Sequence, residues 1–161
     1  MKYEQKYIDS LFTCEKEIVE PPSKDYKESR GHMKMNFTMS SLDGTLSFRA
    51  FIRFNIKFPE NFSIGLDYNP REEKGTICLL RCNGTHGENQ QIPHHQSFHI
   101  HKANSDTINA GAKPESNIEI VNDYASLEQA IHYFIKYINL KQEDQNNYFP
   151  EKQIGLFDNN E

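Results

Sequence analysis

The run TLSFRAFIRFNI, residues 45–56, decides the fold of this chain. Apolar side chains occupy every second position of it, namely Leu46, Phe48, Ala50, Ile52, Phe54 and Ile56. A period of two is typical of a β-strand that turns one face towards a core. The positions between them are mostly polar, so Arg49, Phe51 and Arg53 are predicted on the other face. We therefore expect a long central strand here.

Further strands are predicted on both sides of this run. Residues 33–39 alternate in the same way, and Asp43-Gly44 suits the tight turn of a hairpin. Downstream, residues 62–68, 76–82 and 97–101 have strand patterns bounded by turn residues. We expect five strands, or six if residues 118–121 add an edge strand.

Two amphipathic helices complete the predicted domain. Residues 2–14 place apolar side chains at helical spacing, and this helix could continue to Val19, because Pro21-Pro22 would end it only there. Ser126 and Gln129 form a capping box that opens the second helix, whereas residues 104–117 are predicted to be a loop. The fold class is thus α+β, a mainly antiparallel meander sheet with an N-terminal and a C-terminal helix packed on one face. Residues 1–140 form the single domain, and residues 141–161 form a polar C-terminal tail that could dock on the domain or on a partner.

The composition is that of a folded, acidic protein. Hydrophobic residues make up 36% of the chain, and its net charge is −5. Such a charge disfavours non-specific binding of nucleic acid, although a local basic patch could still bind it. The chain has no apolar run long enough to span a membrane and no secretion signal, and its three cysteines do not indicate disulfides. We expect a cytoplasmic protein that does not contact a membrane.

A cluster of histidines is the chemical anomaly of the sequence. Five of the seven lie within sixteen residues: His86, His94, His95, His99 and His101. If Phe98 and Ile100 point into the core, His99 and His101 share the opposite face of the sheet, where Arg49 and Arg53 also lie. One interpretation is a metal site in which His99, His101 and His86 bind a divalent ion such as zinc. The simpler expectation is that the protein has no cofactor.

Catalysis and binding are the other two interpretations of these residues. In a hydrolase that acts on nucleotides or RNA, His99 and His101 would carry the chemistry and His86 would assist. Arg49 and Arg53, or Lys102, would hold phosphate and steady negative charge. The run 97–101 resembles the histidine-triad nucleotide hydrolase motif, with serine in place of its first histidine. In a binding surface, the contacts would come from Arg49, Phe51, Arg53, His86, His95 and Lys102. An arginine, a ring and an arginine on one strand face are typical of a single-strand nucleic acid platform, but an ordinary solvated sheet face also explains them.

Five stretches carry a resemblance to a known family: residues 51–53, 61–66, 81–87, 98–101 and 124–130. Together they resemble a small uncharacterised bacterial family found on chromosomes, phages and other mobile elements, with no established activity. The resemblance implies a bacterial or mobile-element setting but no mechanism. In that setting, the acidic balance, the absence of a complete catalytic motif and the aromatic-rich polar tail favour a non-catalytic binding or regulatory protein, such as a host-defence inhibitor or a toxin-antitoxin component. A protein partner is expected first and a nucleic acid second. The hydrolase is the alternative, and the oligomeric state stays open.

Overall fold

The computed structural model describes residues 2–85, 96–113 and 117–151. It is an α+β arrangement with a mainly antiparallel, open sheet. The described residues form the helices α1 (Gln5–Thr13), α2 (Ser105–Asn109), α3 (Leu127–Tyr137) and α4 (Gln142–Tyr148), and the strands β1 (Lys16–Glu20), β2 (Lys27–Ser29), β3 (His32–Ser41), β4 (Ser47–Asn55), β5 (Phe62–Asn69), β6 (Ile77–Asn83), β7 (His99–Lys102) and β8 (Asn117–Ile120).

The sheet follows the chain as a meander. Its strand order is β1-β3-β4-β5-β6-β7-β8, and β2 pairs with β3 as well. The alternation predicted for residues 45–56 is confirmed, because Phe48, Ala50 and Ile52 are buried whereas Arg49 and Arg53 are exposed. The sheet therefore has an apolar face and a polar face.

The core lies on the apolar face. Ile8, Leu11 and Phe12 of α1 and Phe134 and Ile135 of α3 belong to one hydrophobic cluster with the inward side chains of the sheet. Burial of this kind contributes about 25 cal/mol per Å² of apolar surface and dominates the stability of a small domain.

The strand count and the length of the first helix differ from the prediction. The described residues contain eight strands rather than five or six, and α1 ends at Thr13 instead of continuing to Val19. Cys14 is already extended, and β1 pairs with the end of β3. The additional strands β1 and β2 have the sequences KEIVE and KES, which are too short and too charged to show a period of two.

Two short helices lie where the sequence predicted none. α2 falls inside the expected loop 104–117, and the Asn104 side chain accepts a hydrogen bond from the Thr107 backbone N–H at 2.9 Å, which caps its first turn. α4 lies in the expected polar tail, where Asp144 accepts from the Ile18 backbone N–H at 2.8 Å. The Phe149 ring lies 5.3 Å from that of Phe37. The described part of the tail thus packs on β1 and β3.

Lys16 is a fully buried lysine that joins two helix ends. Its Nζ donates to the carbonyl oxygens of Phe12, Cys14 and Ile138 at 3.1, 2.9 and 2.8 Å. These oxygens belong to the C-terminal ends of α1 and α3, where a helix leaves carbonyls unpaired and attracts positive charge. Burial lowers the pKa of Lys16 to about 8. Lys16 therefore stabilises the contact between the first and third helices.

Candidate functional site

Two cross-strand rows of side chains run over the polar face. Directly opposed residues of antiparallel strands point to the same side of a sheet. One row consists of Lys27, Lys34, Arg53, Ser63, Asn83 and His99, and the other of Asn36, Phe51, Gly65, Arg81 and His101. The register thus places His99 and His101 on the same face as Arg49 and Arg53, as the alternation predicts.

The histidines and the predicted arginines are nevertheless apart. Since β5 and β6 separate β4 from β7, His99 lies about 14 Å from Arg53 along its row, given a strand spacing of about 4.8 Å. The cation opposite His101 is Arg81 on β6. The sequence did not reveal Arg81, because residues 77–80 are apolar at successive positions and hide which face residue 81 takes.

Three exposed cations lie side by side at one end of the first row. Lys27 is opposite Lys34, and Lys34 is opposite Arg53. All three are exposed, and the ion pairs found between described residues include none of them. Like charges directly opposite each other destabilise a sheet. We call Lys27, Lys34 and Arg53 the cationic row.

Phe51 lies beside the cationic row, between Arg49 and Arg53 along β4. Its half-buried ring occupies the space above Gly65, where an added Cβ would overlap the ring. The Arg81 guanidinium carbon lies 5.9 Å from the ring centroid. Gly65 therefore lets an aromatic ring lie close to the sheet within a group of cations.

His99 is fully buried, whereas the sequence placed it on an open surface. It lies between Asn83 and Ile120 in the register, and its ring centroid is 5.0 Å from that of His101. Nδ1 lies 2.8 Å from the Ser97 carbonyl oxygen, so this nitrogen carries the proton and donates. Nε2 lies 3.3 Å from the side-chain amide of Asn83. Both ring nitrogens of His99 are thus held by polar groups of β6 and of the segment before β7.

Tyr124 holds the strand ends beneath this histidine, a role that the sequence did not indicate. Its hydroxyl lies 2.9 Å from the Asn83 carbonyl oxygen and 3.0 Å from that of His99, and it donates to this pair. The ring is buried, and burial raises the pKa of the Tyr124 hydroxyl. The hydroxyl thus positions the last residue of β6 and the first residue of β7.

Lys102 does not belong to the polar face. Alternation places it on the same side as Ile100, and its Nζ lies 5.0 Å from the Phe12 ring centroid and 5.5 Å from that of Tyr137. Lys102 is two positions after Ile100 on the same strand, so an inward-facing Ile100 places Lys102 on the inward face as well. Lys102 is therefore separated from the face that carries His101, and its part in a phosphate or partner contact stays a prediction.

The predicted metal site is only partly within the described residues. His86 and His95 lie outside them, as does His94. Within the described ranges no group of three histidine, cysteine, aspartate or glutamate side chains is arranged to hold a metal ion. His99 has the tautomer that a metal-binding histidine takes, with Nδ1 donating to a carbonyl. Binding through Nε2 would have to displace the Asn83 amide.

No helix among the described residues is long and apolar enough to cross a membrane. Searches of protein-family models, of curated proteins and of solved structures find nothing that matches this chain.

Proposed function

We propose that this chain is a non-catalytic binding protein that contacts its partner through the polar face of its sheet. The observation that carries the proposal is the cationic row, in which Lys34 lies between Lys27 and Arg53 on neighbouring strands and all three side chains are exposed. A fold gains nothing from such a row by itself, since opposed like charges cost stability. A negatively charged ligand would offset this cost. Binding therefore explains the row better than folding does.

The division of the sheet into two faces supports the same function. One face is committed to the core, and the other carries Arg49, Arg53 and Lys34 in solvent. Binding sites built on strands are held more rigidly than sites built on loops. We place the protein in a bacterial or phage system, as a regulatory component such as a host-defence inhibitor or a toxin-antitoxin component, on the strength of the family resemblance of its sequence.

A capture experiment with matched variants tests this proposal. The full chain, a Lys34→Glu/Arg53→Glu variant and a Lys6→Glu/Lys113→Glu control are immobilised and exposed to extract of the bacterial host. Lys6 and Lys113 are exposed cations outside the sheet, so the control has the same net charge as the face variant. We expect a stoichiometric ligand on wild type and control that the face variant loses. Equal retention by all three proteins, or none by wild type, contradicts the proposal.

The second candidate is a histidine-dependent hydrolase that acts on nucleotides or RNA, and one observation favours it. His99 keeps Nδ1 on a backbone carbonyl, which orients Nε2 as a base, and His101 and Arg81 lie next to it. Hydrolysis of an RNA and nucleotide panel by wild type and by His101→Ala separates the two functions. Turnover by wild type and at least tenfold slower turnover by the variant would favour the enzyme. If neither wild type nor the variant hydrolyses any member of the panel, the hydrolase is contradicted.

A further inference from the structure

We infer that the ligand of the polar face is a single-stranded nucleic acid, with phosphates at the cationic row and a base stacked on Phe51. This inference rests on the proposed function and names the partner class for the same surface.

The charge of the face is opposite to that of the whole protein. The chain has 23 acidic and 18 basic side chains. On the polar-face positions of β1 to β6, however, the cations are Lys27, Lys34, Arg49, Arg53 and Arg81, whereas the carboxylates are Glu17, Glu20 and Asp67. Asp67 lies opposite Arg49, which leaves the cationic row without an acidic neighbour in the register. Basic side chains have been concentrated on one face of an acidic protein, so the complementary ligand is a polyanion.

The geometry of the row suits a chain of anionic groups rather than one anion. The three cations are on three successive strands, which spread them over about 10 Å at the spacing of an antiparallel sheet. Arg49 adds a fourth positive group, four residues from Arg53 on the same strand face and thus about 13 Å away. A compact anion could touch only part of this array, whereas a phosphodiester backbone can follow it.

Phe51 distinguishes a single strand from a duplex. Its ring lies between the arginines of β4 and over Gly65, and it stays partly exposed to solvent. Unpaired bases stack on such rings, and sheets with one open face use this contact to bind single strands. In a duplex the base faces are already stacked on each other. An acidic protein segment could form ion pairs with the cations, but it has no base to stack on the Phe51 ring.

Fluorescence anisotropy with labelled oligonucleotides tests the inference. The probes are single-stranded RNA, single-stranded DNA and duplex DNA of one sequence and length, titrated with the full chain over a series of salt concentrations. We expect both single strands to bind and the duplex to bind at least about tenfold more weakly. Contact with three phosphates should give a slope of about −2 for log affinity against log salt.

Three variants connect the binding to the surface. Lys27→Gln/Lys34→Gln/Arg53→Gln should weaken binding about tenfold or more and flatten the salt dependence. Lys6→Gln/Lys74→Gln/Lys113→Gln makes the same change of net charge away from the sheet and should bind like wild type. Phe51→Leu should lower single-strand affinity about tenfold with the salt slope unchanged. If the triple variant does not fold by circular dichroism, Arg53→Gln alone should reduce the slope by about 0.7.

The inference is overturned if folded wild type binds no oligonucleotide at low salt, or if the cationic-row variant and its control bind equally. Its failure can be told from failure of the proposed function. A captured protein that depends on Lys34 and Arg53, together with inert oligonucleotides, leaves the binding function in place and replaces the nucleic acid by that protein. If no captured ligand depends on Lys34 and Arg53 and no oligonucleotide binds, both proposals are contradicted.

Discussion

Lys34 on β3 lies directly opposite Arg53 on β4, and neither side chain has an ion-pair partner among the described residues. Two positive charges are thereby held at the separation of a cross-strand pair, where their repulsion opposes folding. Lys27 lies opposite Lys34 on the other side and adds to this repulsion. Stability and binding should therefore respond in opposite directions when this charge is changed.

Lys34→Glu tests that relationship. A carboxylate at this position would face cations on both sides, so we expect the free energy of unfolding to rise by about 0.2–1 kcal/mol while oligonucleotide binding falls. Urea unfolding measures the first effect and anisotropy the second. Arg49→Glu is the matched control on β4, because it would set a carboxylate opposite Asp67 and should destabilise the protein. A Lys34→Glu variant less stable than wild type would contradict the repulsion.

Gly65 and Phe51 should show strong coupling. Gly65→Ala places a methyl group into the Phe51 ring and is expected to cost about 1–3 kcal/mol of stability. In a Phe51→Ala background the same substitution meets free space, so most of that cost should disappear. A double-mutant cycle from chemical denaturation measures the difference. Equal costs in both backgrounds would show that the ring does not occupy the space above Gly65.

The lowered pKa of Lys16 predicts that the free energy of unfolding depends on pH. Its folded pKa of about 8 lies below the ordinary lysine value of 10.5, so between these values the unfolded chain binds more protons and stability rises with pH. The full effect corresponds to about 3 kcal/mol. Buried Cys82 and the buried tyrosines act in the opposite direction at high pH, because burial raises their pKa. Subtracting the stability of Lys16→Met from that of wild type cancels those groups.

We expect that difference to increase steadily from about pH 7.5 to about pH 9.5. Lys16→Met also leaves three buried carbonyl oxygens without a donor, and each such loss costs about 1–3 kcal/mol, so we expect the variant to be the less stable protein throughout. A difference that does not change over this range would mean that Lys16 keeps an ordinary pKa.

Tyr124 should stabilise the end of β6 and the start of β7, where its hydroxyl contacts two backbone carbonyls. Tyr124→Phe keeps the ring but removes the donor from the Asn83 and His99 carbonyls, which should cost about 1–3 kcal/mol. Tyr148→Phe is the control, since Tyr148 is exposed and should change stability by less than about 0.5 kcal/mol. Hydrogen exchange should report faster opening near residues 83 and 99 in the first variant only. Equal behaviour of the two variants would exclude the proposed role.

Strong alternation made the centre of the sheet predictable. β4 and β5 begin and end within two residues of the predicted runs, because large apolar side chains alternate with polar or small ones along each, although β5 is buried on both faces over residues 62–66. β1 and β2 could not be found in this way, since they pair with β3 through their backbones while presenting mostly charged side chains. The capping asparagine of α2 was visible in the sequence, but a five-residue helix has no apolar face to reveal it.

The candidate site was predictable where only the direction of a side chain mattered. Alternation placed Arg49, Arg53, His99 and His101 on one face, but it cannot state how many strands lie between them. The burial of His99 and the opposition of Lys27, Lys34 and Arg53 depend on strand order and register. Two like charges in distant parts of a sequence carry no local sign that they will become neighbours.

The attachment of Lys16 to Ile138 spans 122 positions of the chain. A ribosome makes the first helix long before the third, so during synthesis the ammonium group has no distant carbonyl to receive it and remains hydrated. Its full dehydration must wait until α3 has been synthesised. The interior around Lys16 can therefore close only after that helix has formed.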